Sequence, residues 1–130
     1  TPLIRYEIGD YAEVGEACAC GRGLPVLKRI LGRERNFLVL PTGEKRFPEA
    51  RMILIKFAPE IRQFQVLQKT VESIEIRLVV PSPLTASKES QIKHHLNEKF
   101  GYPFDYQFVY VEDIPRSANG KFEEFMSEVL

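Results

Sequence analysis

Alternating apolar and polar positions are clearest in the middle of the chain, where they predict two adjacent β-strands. The first strand is expected over Ile61–Lys69 and the second over Glu72–Val80. Successive side chains of a strand point to opposite faces of a sheet, so a period of two predicts that one face of each strand is buried. A third alternating run predicts a strand over Phe104–Val111. The apolar positions of the second strand are Ile74, Ile76, Leu78 and Val80.

A spacing of four between apolar positions predicts a helix over about residues 87–100. Ile92 and Leu96 fall on one face of this helix, and Ser87 is a suitable N-cap. Gly101 is expected to end the helix, because glycine adopts the left-handed conformation that closes helices at little steric cost. This is the longest helix that the sequence predicts.

Shorter elements are expected on either side of these. Residues 11–14 read as the returning strand of a hairpin whose first strand lies within residues 3–8. Apolar runs predict strands over residues 26–31 and 37–40, and the polar segment Gly32–Asn36 between them is the best candidate for a domain boundary or hinge. A short helix is expected over Glu49–Phe57, and another in the C-terminal tail.

The order of these elements predicts an α+β fold. After the polar segment come a hairpin, a helix, two strands, a second helix, a strand, a turn and the tail helix. Such an order fits a small antiparallel sheet with helices on one face, of the ferredoxin-like type. The expected division is therefore a strand-rich first part, residues 1–31, and a second domain, residues 32–130.

Composition narrows the classes of function. The chain has 130 residues, of which 44% are hydrophobic, enough for a packed core. Its 18 basic and 18 acidic residues give a formal net charge of zero, so nothing indicates a nucleic-acid partner. No apolar run is long enough to cross a bilayer, so no membrane partner is expected. The two cysteines are too few for a disulfide scaffold, and a reducing, cytoplasmic setting is the natural interpretation.

Several isolated groups are weak candidates for chemistry. His94 and His95 are adjacent on a helix, where neighbouring side chains diverge, so a solvated polar face is the better interpretation. Cys18 and Cys20 would be half of a zinc site, but a structural zinc ion needs four ligands and no second cysteine pair occurs. Plain loop thiols, reduced and not bonded to each other, are expected. Asp10, after Gly9 in a turn, would by itself be read as a turn-former.

Three motifs in series carry more information than any of these groups. They are Tyr6-x-x-Gly9-Asp10, then Gly32-Arg33, and finally Pro115-Arg116-Ser117-x-x-Gly120-Lys121. In this order and spacing the whole chain resembles the C-terminal part of the adenylate-forming enzymes. Within that superfamily "PLIRYEIGD", "CACGR" and "IPRSANGKF" are most similar to the phenylacetate–CoA ligase branch, which includes coenzyme F390 synthetase and CapK-like proteins.

The resemblance implies a role for each motif. Asp10 would bind the ribose hydroxyls of ATP and AMP, with Tyr6 in the same nucleotide-binding motif. Arg33 would contact the same nucleotide, and Gly32 with Arg33 would form the hinge of a mobile domain. Lys121 would reach the α-phosphate and the attacking carboxylate during adenylation, where a preorganised cation stabilises developing charge. No residue of the chain is expected to bind a metal ion directly.

The resemblance also implies the wider reaction. The parent enzyme would activate a small carboxylic acid, such as phenylacetate, with ATP and Mg²⁺, and then transfer the acyl group to CoA. Residues 1–31 would be a remnant of its N-terminal adenylation domain, and residues 32–130 its mobile C-terminal domain. The family's phosphate-binding loop and acyl pocket belong to the rest of the N-terminal domain, so this chain alone is expected to be inactive.

Some positions depart from the family pattern. The family often has a basic residue and a Thr or Ser where this chain has Glu7 and Ile8, usually an Asp near Asn36, and often a basic residue near Glu124. These departures leave the nucleotide roles intact but affect the inferred substrate. Two alternatives remain: an adenylating enzyme that does not use CoA, of the F390 synthetase or capsule-pathway type, and a stand-alone ferredoxin-like binding or regulatory module.

Overall fold

The computed structural model describes residue 4, residues 8–118 and residues 120–129. The chain divides into two compact units, Thr1–Glu34 and Arg35–Leu130. The strands are β1 (Asp10–Val14), β2 (Leu27–Arg33), β3 (Leu38–Val39), β4 (Lys45–Arg46), β5 (Gln63–Gln68), β6 (Ser73–Val79), β7 (Asp105–Tyr110) and β8 (Phe125–Ser127). The helices are α1 (Arg51–Phe57) and α2 (Ala86–Phe100), and Glu34–Asn36 forms a 3₁₀ turn.

The first unit is built on an antiparallel pairing of β1 with β2. The predicted hairpin partner of β1, residues 3–8, lies mostly outside the described residues, and the partner that the structure gives is β2. The register pairs Tyr11 with Gly32 and Ala12 with Ile30, so Leu31 is the extra residue of a β-bulge. Gly32 has φ +101°, a conformation that favours glycine. The first two residues of the predicted polar segment are therefore the bulged end of a strand, and its last three form the 3₁₀ turn.

The main sheet belongs to the second unit and has the strand order β7-β6-β5-β8. The α+β class is confirmed, but the sheet is mixed where an antiparallel one was expected. Only β5 and β6 pair antiparallel, whereas β6–β7 and β5–β8 are parallel pairs. The α2 crossover explains the first parallel pair, because a strand that returns after a helix enters the sheet in the same direction. The antiparallel ferredoxin-like sheet is thus corrected in two of its three pairings.

The core lies where the sheet meets both helices. Ile74, Ile76 and Leu78 alternate along β6 and are almost completely buried, as the period of two predicts. Ile92 and Leu96 of α2 are fully buried in the same cluster. Burial of one such side chain contributes about 1.5–3 kcal/mol, so this cluster is the principal source of stability for the second unit.

Both ends of α2 are capped. The N-cap is Thr85, whose hydroxyl accepts from the backbone N–H of Lys88 at 3.3 Å, so the predicted cap at Ser87 is wrong by two residues. Gly101 ends the helix at φ +73°, as the sequence predicts. The guanidinium of Arg46, in β4, donates to the carbonyl of Phe100 at 3.1 Å and supplies a donor for the end of the helix.

A buried amide joins the small β3–β4 sheet to the main sheet. Gln68 is fully buried at the end of β5, and its Nε2 donates to the carbonyl of Val39 at 2.6 Å. Its Oε1 accepts from the backbone N–H of Val39 at 2.9 Å and from the hydroxyl of Ser127 at 3.1 Å. The side chain therefore replaces one rung of a β-ladder.

The predicted tail helix is a strand. β8 pairs in parallel with β5, with Val66 opposite Phe125 and Gln68 opposite Ser127. Phe125 and Ser127 are both buried, which is the alternation of a strand. The predicted helix is wrong because the long-range pairing with β5 overrides the local preference of the tail. In the described part of the chain, neither helix has the length and apolar character to span a bilayer.

Candidate functional site

Lys121 lies at the end of a closed turn. The backbone N–H and the hydroxyl of Ser117 both donate to the carbonyl of Lys121, at 3.0 and 2.8 Å. The N–H of Gly120 donates to the carbonyl of Ser117 at 2.8 Å, and Gly120 has φ +78°. The guanidinium of Arg116 donates to the carbonyl of Gly120 at 3.2 Å. The predicted turn is confirmed, and Lys121 is exposed.

The central strand β5 holds the chain on both sides of this turn. Before it, the backbone N–H of the buried Ile114 donates to Gln63 Oε1 at 3.4 Å. After it, Gln65 Nε2 donates to the carbonyl of Glu123 at 3.1 Å, and the N–H of Val66 donates to the carbonyl of Glu124 at 2.8 Å. The turn is therefore a short excursion whose two ends are fixed to the central strand.

Sequence reasoning missed the role of these glutamines. The alternation with Phe64 and Val66 indicated only a polar face of a strand, yet Gln65 is 6% exposed and binds the lysine segment. The available signal was the chemistry of the side chain, since an uncharged amide is easier to bury than a carboxylate or an ammonium. Nothing in the local sequence pattern indicates that the carbonyl of Glu123 is the hydrogen-bond partner of Gln65.

Two ion pairs fix the residues that follow Lys121. Glu123 Oε1 accepts from Arg35 Nη2 at 2.5 Å, and the side chain of Glu123 is only 11% exposed. Glu124, which departs from the basic residue of the family pattern, is paired with Arg51. The departure at Glu124 is thus accommodated by a basic residue of α1.

A groove borders the lysine turn. Its volume is about 660 Å³, and its basic residues are Arg51, Arg62 and Arg116. Ile61, Ile114 and Phe122 are among its apolar walls. The lining also includes the carboxylates of Asp113 and Glu124, and Glu124 is paired with Arg51, so this arginine-rimmed groove has one more cation than it has anions. Guanidinium donors match the planar oxygens of carboxylates and phosphates, so the remaining positive charge favours an organic anion.

The other two nucleotide candidates lie side by side in the first unit. Asp10 is directly opposite Arg33 in the β1–β2 register, and Arg33 Nε is 3.9 Å from Asp10 Oδ1. Their side chains are 31% and 47% exposed. An exposed pair at this distance stabilises a fold by about 0–1 kcal/mol, so both groups are available for a ligand. Tyr6 lies outside the described residues.

The remaining candidates do not assemble a site. His94 and His95 both lie near Glu98, at 3.5 and 3.3 Å, and the ring of His95 stacks on Phe57 with centroids 4.4 Å apart. In residue 4 and the stretches 8–118 and 120–129, no three His, Cys, Asp or Glu side chains are grouped as metal ligands would be. His94 is exposed, as a solvated polar face predicts, whereas His95 is half-buried against Phe57.

The cysteines are exposed free thiols, as predicted. The backbone N–H of Cys20 points to Cys18 Sγ at 3.4 Å. A hydrogen bond from the Cys18 side chain lowers the pKa of the Cys20 thiol, and a backbone hydrogen bond from Arg22 acts in the same direction.

Comparison with known proteins shows the family of this chain. The family model described as the CapK C-terminal domain matches residues 49–128. Protein CapK of Staphylococcus aureus is 30% identical over 135 residues, which cover 93% of this chain and 28% of CapK. This chain therefore spans less than a third of the length of that relative.

Solved structures share the fold at lower identity. The fatty acyl-adenylate ligases of E. coli and L. pneumophila align with a TM-score of 0.57 and 19% identity, over 89% of this chain and 20% of theirs. A domain of phenylacetate-coenzyme A ligase from Bacteroides vulgatus aligns with a TM-score of 0.51 and 15% identity, over 74% of this chain and 95% of that domain. At these identities the similarity shows a common fold.

Proposed function

This chain belongs to the family of CapK C-terminal domains, and on that basis we propose that it is the C-terminal part of an enzyme that activates a carboxylic acid as an acyl-adenylate. The observation that carries the proposal is the presentation of Lys121. An exposed ammonium stands on a turn that is closed by four hydrogen bonds to backbone carbonyls and fixed to β5 at both ends. A solvated surface lysine needs no such support.

Lys121 would act on the charge that develops as the acid attacks the α-phosphate. Its ammonium has three donors and no acceptor, so it can bind an α-phosphate oxygen and a carboxylate oxygen together. Because the turn is already formed, little reorganisation is needed when the charge develops, which is the condition for effective electrostatic catalysis. The arginine-rimmed groove beside the turn has the polarity that an anionic substrate requires.

Asp10 and Arg33 would hold the nucleotide. An ionised carboxylate accepts hydrogen bonds from two ribose hydroxyls, and Asp10 is exposed enough to do so. Arg33, opposite it in the register, would contact the same nucleotide and limit its position. We propose that Tyr6 belongs to this nucleotide-binding motif and that Gly32 and Arg33 form the hinge. The positive φ of Gly32, at the bulge, supports a special backbone role at this position.

Residues of this chain would bind only some of the ligands that the proposed reaction uses. The carboxylate of Asp10 fits the ribose of ATP, but the described residues include no cluster of three metal-ligating side chains, so we assign Mg²⁺ to the parent's other residues. Bound there, Mg²⁺ would supply charge neutralisation of the triphosphate. The N-terminal domain of the same parent chain is therefore the proposed partner.

Transfer to CoA, with an aryl acid such as phenylacetate as substrate, is the second half of the proposal. It is supported by the fold shared with the phenylacetate-coenzyme A ligase domain. A cytoplasmic location would follow from the supply of ATP and CoA. The fold shared with fatty acyl-adenylate ligases favours a second candidate, adenylation without transfer to CoA. The mixed sheet gives no support to the third interpretation, a ferredoxin-like regulatory module.

ATP–pyrophosphate exchange tests the proposal. The full-length parent is expected to exchange label in the presence of an aryl or aliphatic acid from a panel, and residues 1–130 alone are expected to show none. A phosphate loop is missing from this sequence, so the triphosphate has no cradle. Exchange by residues 1–130 alone would contradict the split site, whereas failure of the parent with every acid of the panel would contradict the function.

A further inference from the structure

An ion pair joins the start of the second unit to the residues that follow the lysine turn. Arg35 is the first residue of the unit Arg35–Leu130, and it comes two residues after Arg33 of the proposed hinge. Its Nη2 donates to Glu123 Oε1 at 2.5 Å, and Glu123 comes two residues after Lys121. The pair therefore links two segments that are 88 residues apart, one beside the proposed hinge and the other beside the proposed catalytic residue.

The carboxylate of Glu123 is better shielded from solvent than the other paired carboxylates of this segment. Its side chain is 11% exposed, whereas those of Glu124 and Glu128 are 36% and 49% exposed. Within the described parts of the chain its second oxygen, Oε2, has no hydrogen-bond partner, so compensation of this charge depends on Arg35. Ion pairs with little access to water are screened weakly, and removal of one partner leaves an uncompensated charge. The pair therefore holds Glu123 in one position.

The residue on the other side of the unit boundary has a contact of its own. Glu34 is the last residue of the first unit, and its Oε1 accepts from the hydroxyl of Tyr11 in β1 at 3.0 Å. Neighbouring residues are thus tied to different parts of the chain, Glu34 to β1 and Arg35 to the residues after the lysine turn. These ties keep the link between the units short, and a short link leaves fewer relative positions accessible than a long one.

We propose that Arg35 and Glu123 are a positioning pair, which makes the start of the second unit and the lysine turn move as one body. This role rests on the proposed function, in which Lys121 acts during adenylation. A rotation at the proposed hinge would then bring the ammonium to the same place in every cycle. Without the pair, Arg35 and Asn36 would lengthen the flexible link, and Lys121 would sample more positions. Misplacement by about 1 Å can slow a reaction by about 100-fold, so a looser link should lower the rate.

A pair that only stabilises the fold is the alternative, and substitutions separate the two roles. Arg35→Met leaves the carboxylate of Glu123 without its cation and should destabilise the chain. Adding Glu123→Gln removes that charge, so the double variant should recover most of the lost stability. Glu123→Gln alone is the milder variant, because the side chain of Arg35 is 43% exposed and water can compensate its charge. A stabilising pair predicts that activity returns with stability, whereas a positioning pair predicts that it does not.

ATP–pyrophosphate exchange by the full-length parent measures the effect on the reaction. In Glu123→Gln and in the double variant we expect kcat to fall by about tenfold. The KM for ATP should stay within about twofold, because the proposed nucleotide ligands Asp10 and Arg33 belong to the first unit. The matched control is Lys69→Met with Glu128→Gln, which removes an ion pair of 2.7 Å just beyond β5 and β8 and should leave kcat unchanged. Wild-type kcat in the folded double variant, or an equal loss in the control, would overturn the proposal.

Amide hydrogen exchange in the 130-residue chain, followed by NMR, tests the pair separately from the reaction. The N–H groups of Ser117 and Gly120 donate within the lysine turn, at 3.0 and 2.8 Å. Both should exchange about tenfold faster in the double variant and in Glu123→Gln, and at the wild-type rate in the control. If exchange rises in this way but the wild-type parent is inactive with every acid, the proposed function fails while the pair still positions Lys121. Unchanged exchange in the variants that fold would overturn the inference whether or not the parent is active.

Discussion

The two units of this chain support their polar candidates in different ways. Among the described residues of the unit Thr1–Glu34 none is buried, and Val14, Leu27 and Ile30 are each more than half exposed. The unit Arg35–Leu130 contains the whole buried core. Asp10 and Arg33 are therefore placed only by the register of two exposed strands, whereas Lys121 is placed by a turn fixed to a buried strand.

This difference shows which part of the chain positions its candidate functional side chains precisely. A cross-strand pair on an exposed hairpin sets which residues face each other but leaves their side chains mobile. Buried amides such as Gln65 and Gln68 have almost no alternative partners, so they fix a backbone segment in one place. The comparison leads to four predictions, ordered from the largest expected effect to the smallest.

The first prediction concerns Lys121. In the full-length parent, Lys121→Ala should slow adenylate formation by about 100- to 1000-fold, the usual loss for one preorganised electrostatic contact. Thioester formation from pre-made acyl-adenylate should change much less, because the proposed role of Lys121 is on the charge that develops during adenylation, and a pre-made adenylate has already passed that step. Fold stability should hardly change, since the side chain is exposed. Rapid-quench assays of both half-reactions, with a melting curve, measure all three.

Lys56→Ala, at another exposed lysine, is the control and should leave both half-reactions unchanged. Loss of both half-reactions together with a lower melting temperature in Lys121→Ala would indicate a structural lysine. An unimpaired rate of adenylation would remove the principal residue of the proposal.

The second prediction concerns Gln68, the buried amide of the second unit. Gln68→Leu should lower the free energy of unfolding by about 2–4 kcal/mol, because the N–H and the carbonyl of Val39 each lose a buried partner. Urea denaturation followed by circular dichroism measures the loss. Gln107→Leu, at an exposed position of β7, should cost less than about 0.5 kcal/mol. Equal effects of the two substitutions would show that the buried amide does not set this stability.

The third prediction concerns Gly32 in the first unit. Gly32→Ala should cost about 1 kcal/mol of strain at φ +101°, although a Cβ there meets no atom within 4 Å. If Gly32 is a hinge, this variant of the parent should also slow one half-reaction by about tenfold and spare the other. Gly32→Pro should increase the difference between the rates of the two half-reactions further, because proline fixes φ.

Gly43→Ala is the control for strain alone, because Gly43 also has a positive φ, +86°, with open space around its Cβ position. It should cost similar stability and leave both half-reactions in their original ratio. A uniform loss in both half-reactions for the folded Gly32 variants would argue against a hinge at this position.

The fourth prediction concerns pH. Burial, with a further contribution from Glu89, raises the pKa of Tyr110 from 10 to about 12. The folded pKa lies above the unfolded one, so this stabilisation is present below pH 10 and is lost as the pH rises towards 12. Tyr110 donates to Glu89 and accepts from the N–H of Leu84 at 3.2 Å. Tyr110→Phe should therefore cost about 1 kcal/mol at neutral pH, after allowance for solvent screening, and less above pH 10.

Denaturation profiles of the wild type and Tyr110→Phe between pH 8 and pH 12 test this point. The two profiles should converge as the pH approaches 12. Burial and Glu72 also raise the pKa of Tyr102, so Tyr102→Phe should show the same convergence with a smaller amplitude than Tyr110→Phe. Parallel profiles for the wild type and Tyr110→Phe would show that this hydroxyl does not titrate with folding.

Local patterns predicted much of the second unit. The strands β5, β6 and β7 and the helices α1 and α2 lie within one or two residues of the predicted bounds. These elements have periodic burial. A periodic face can be read from sequence because the polarity of each residue indicates whether its side chain is buried or exposed. The lysine turn was predicted for a similar reason, since a glycine in a polar segment indicates by itself a residue with positive φ, as Gly120 has.

Partners between distant segments were not predicted. The strand β8 was mistaken for a helix, since three residues carry too little pattern to show that they pair with β5. The antiparallel sheet was wrong because strand direction depends on which neighbours meet after the chain crosses over. Likewise, the N-cap was misplaced because Thr85 and Ser87 are both good caps, and the local pattern does not distinguish them.

By itself the sequence determined the two helices, the periodic strands, the positive-φ turn before Lys121 and the three motifs that carry the resemblance to adenylate-forming enzymes. Each of these depends on residues near one another in the chain. Only the tertiary structure decided that Asp10 faces Arg33 and that the buried amides of Gln65 and Gln68 hold distant backbone segments. Local steric and hydrophobic preferences are encoded residue by residue, whereas a hydrogen-bond partner is defined only when folding brings two distant segments together.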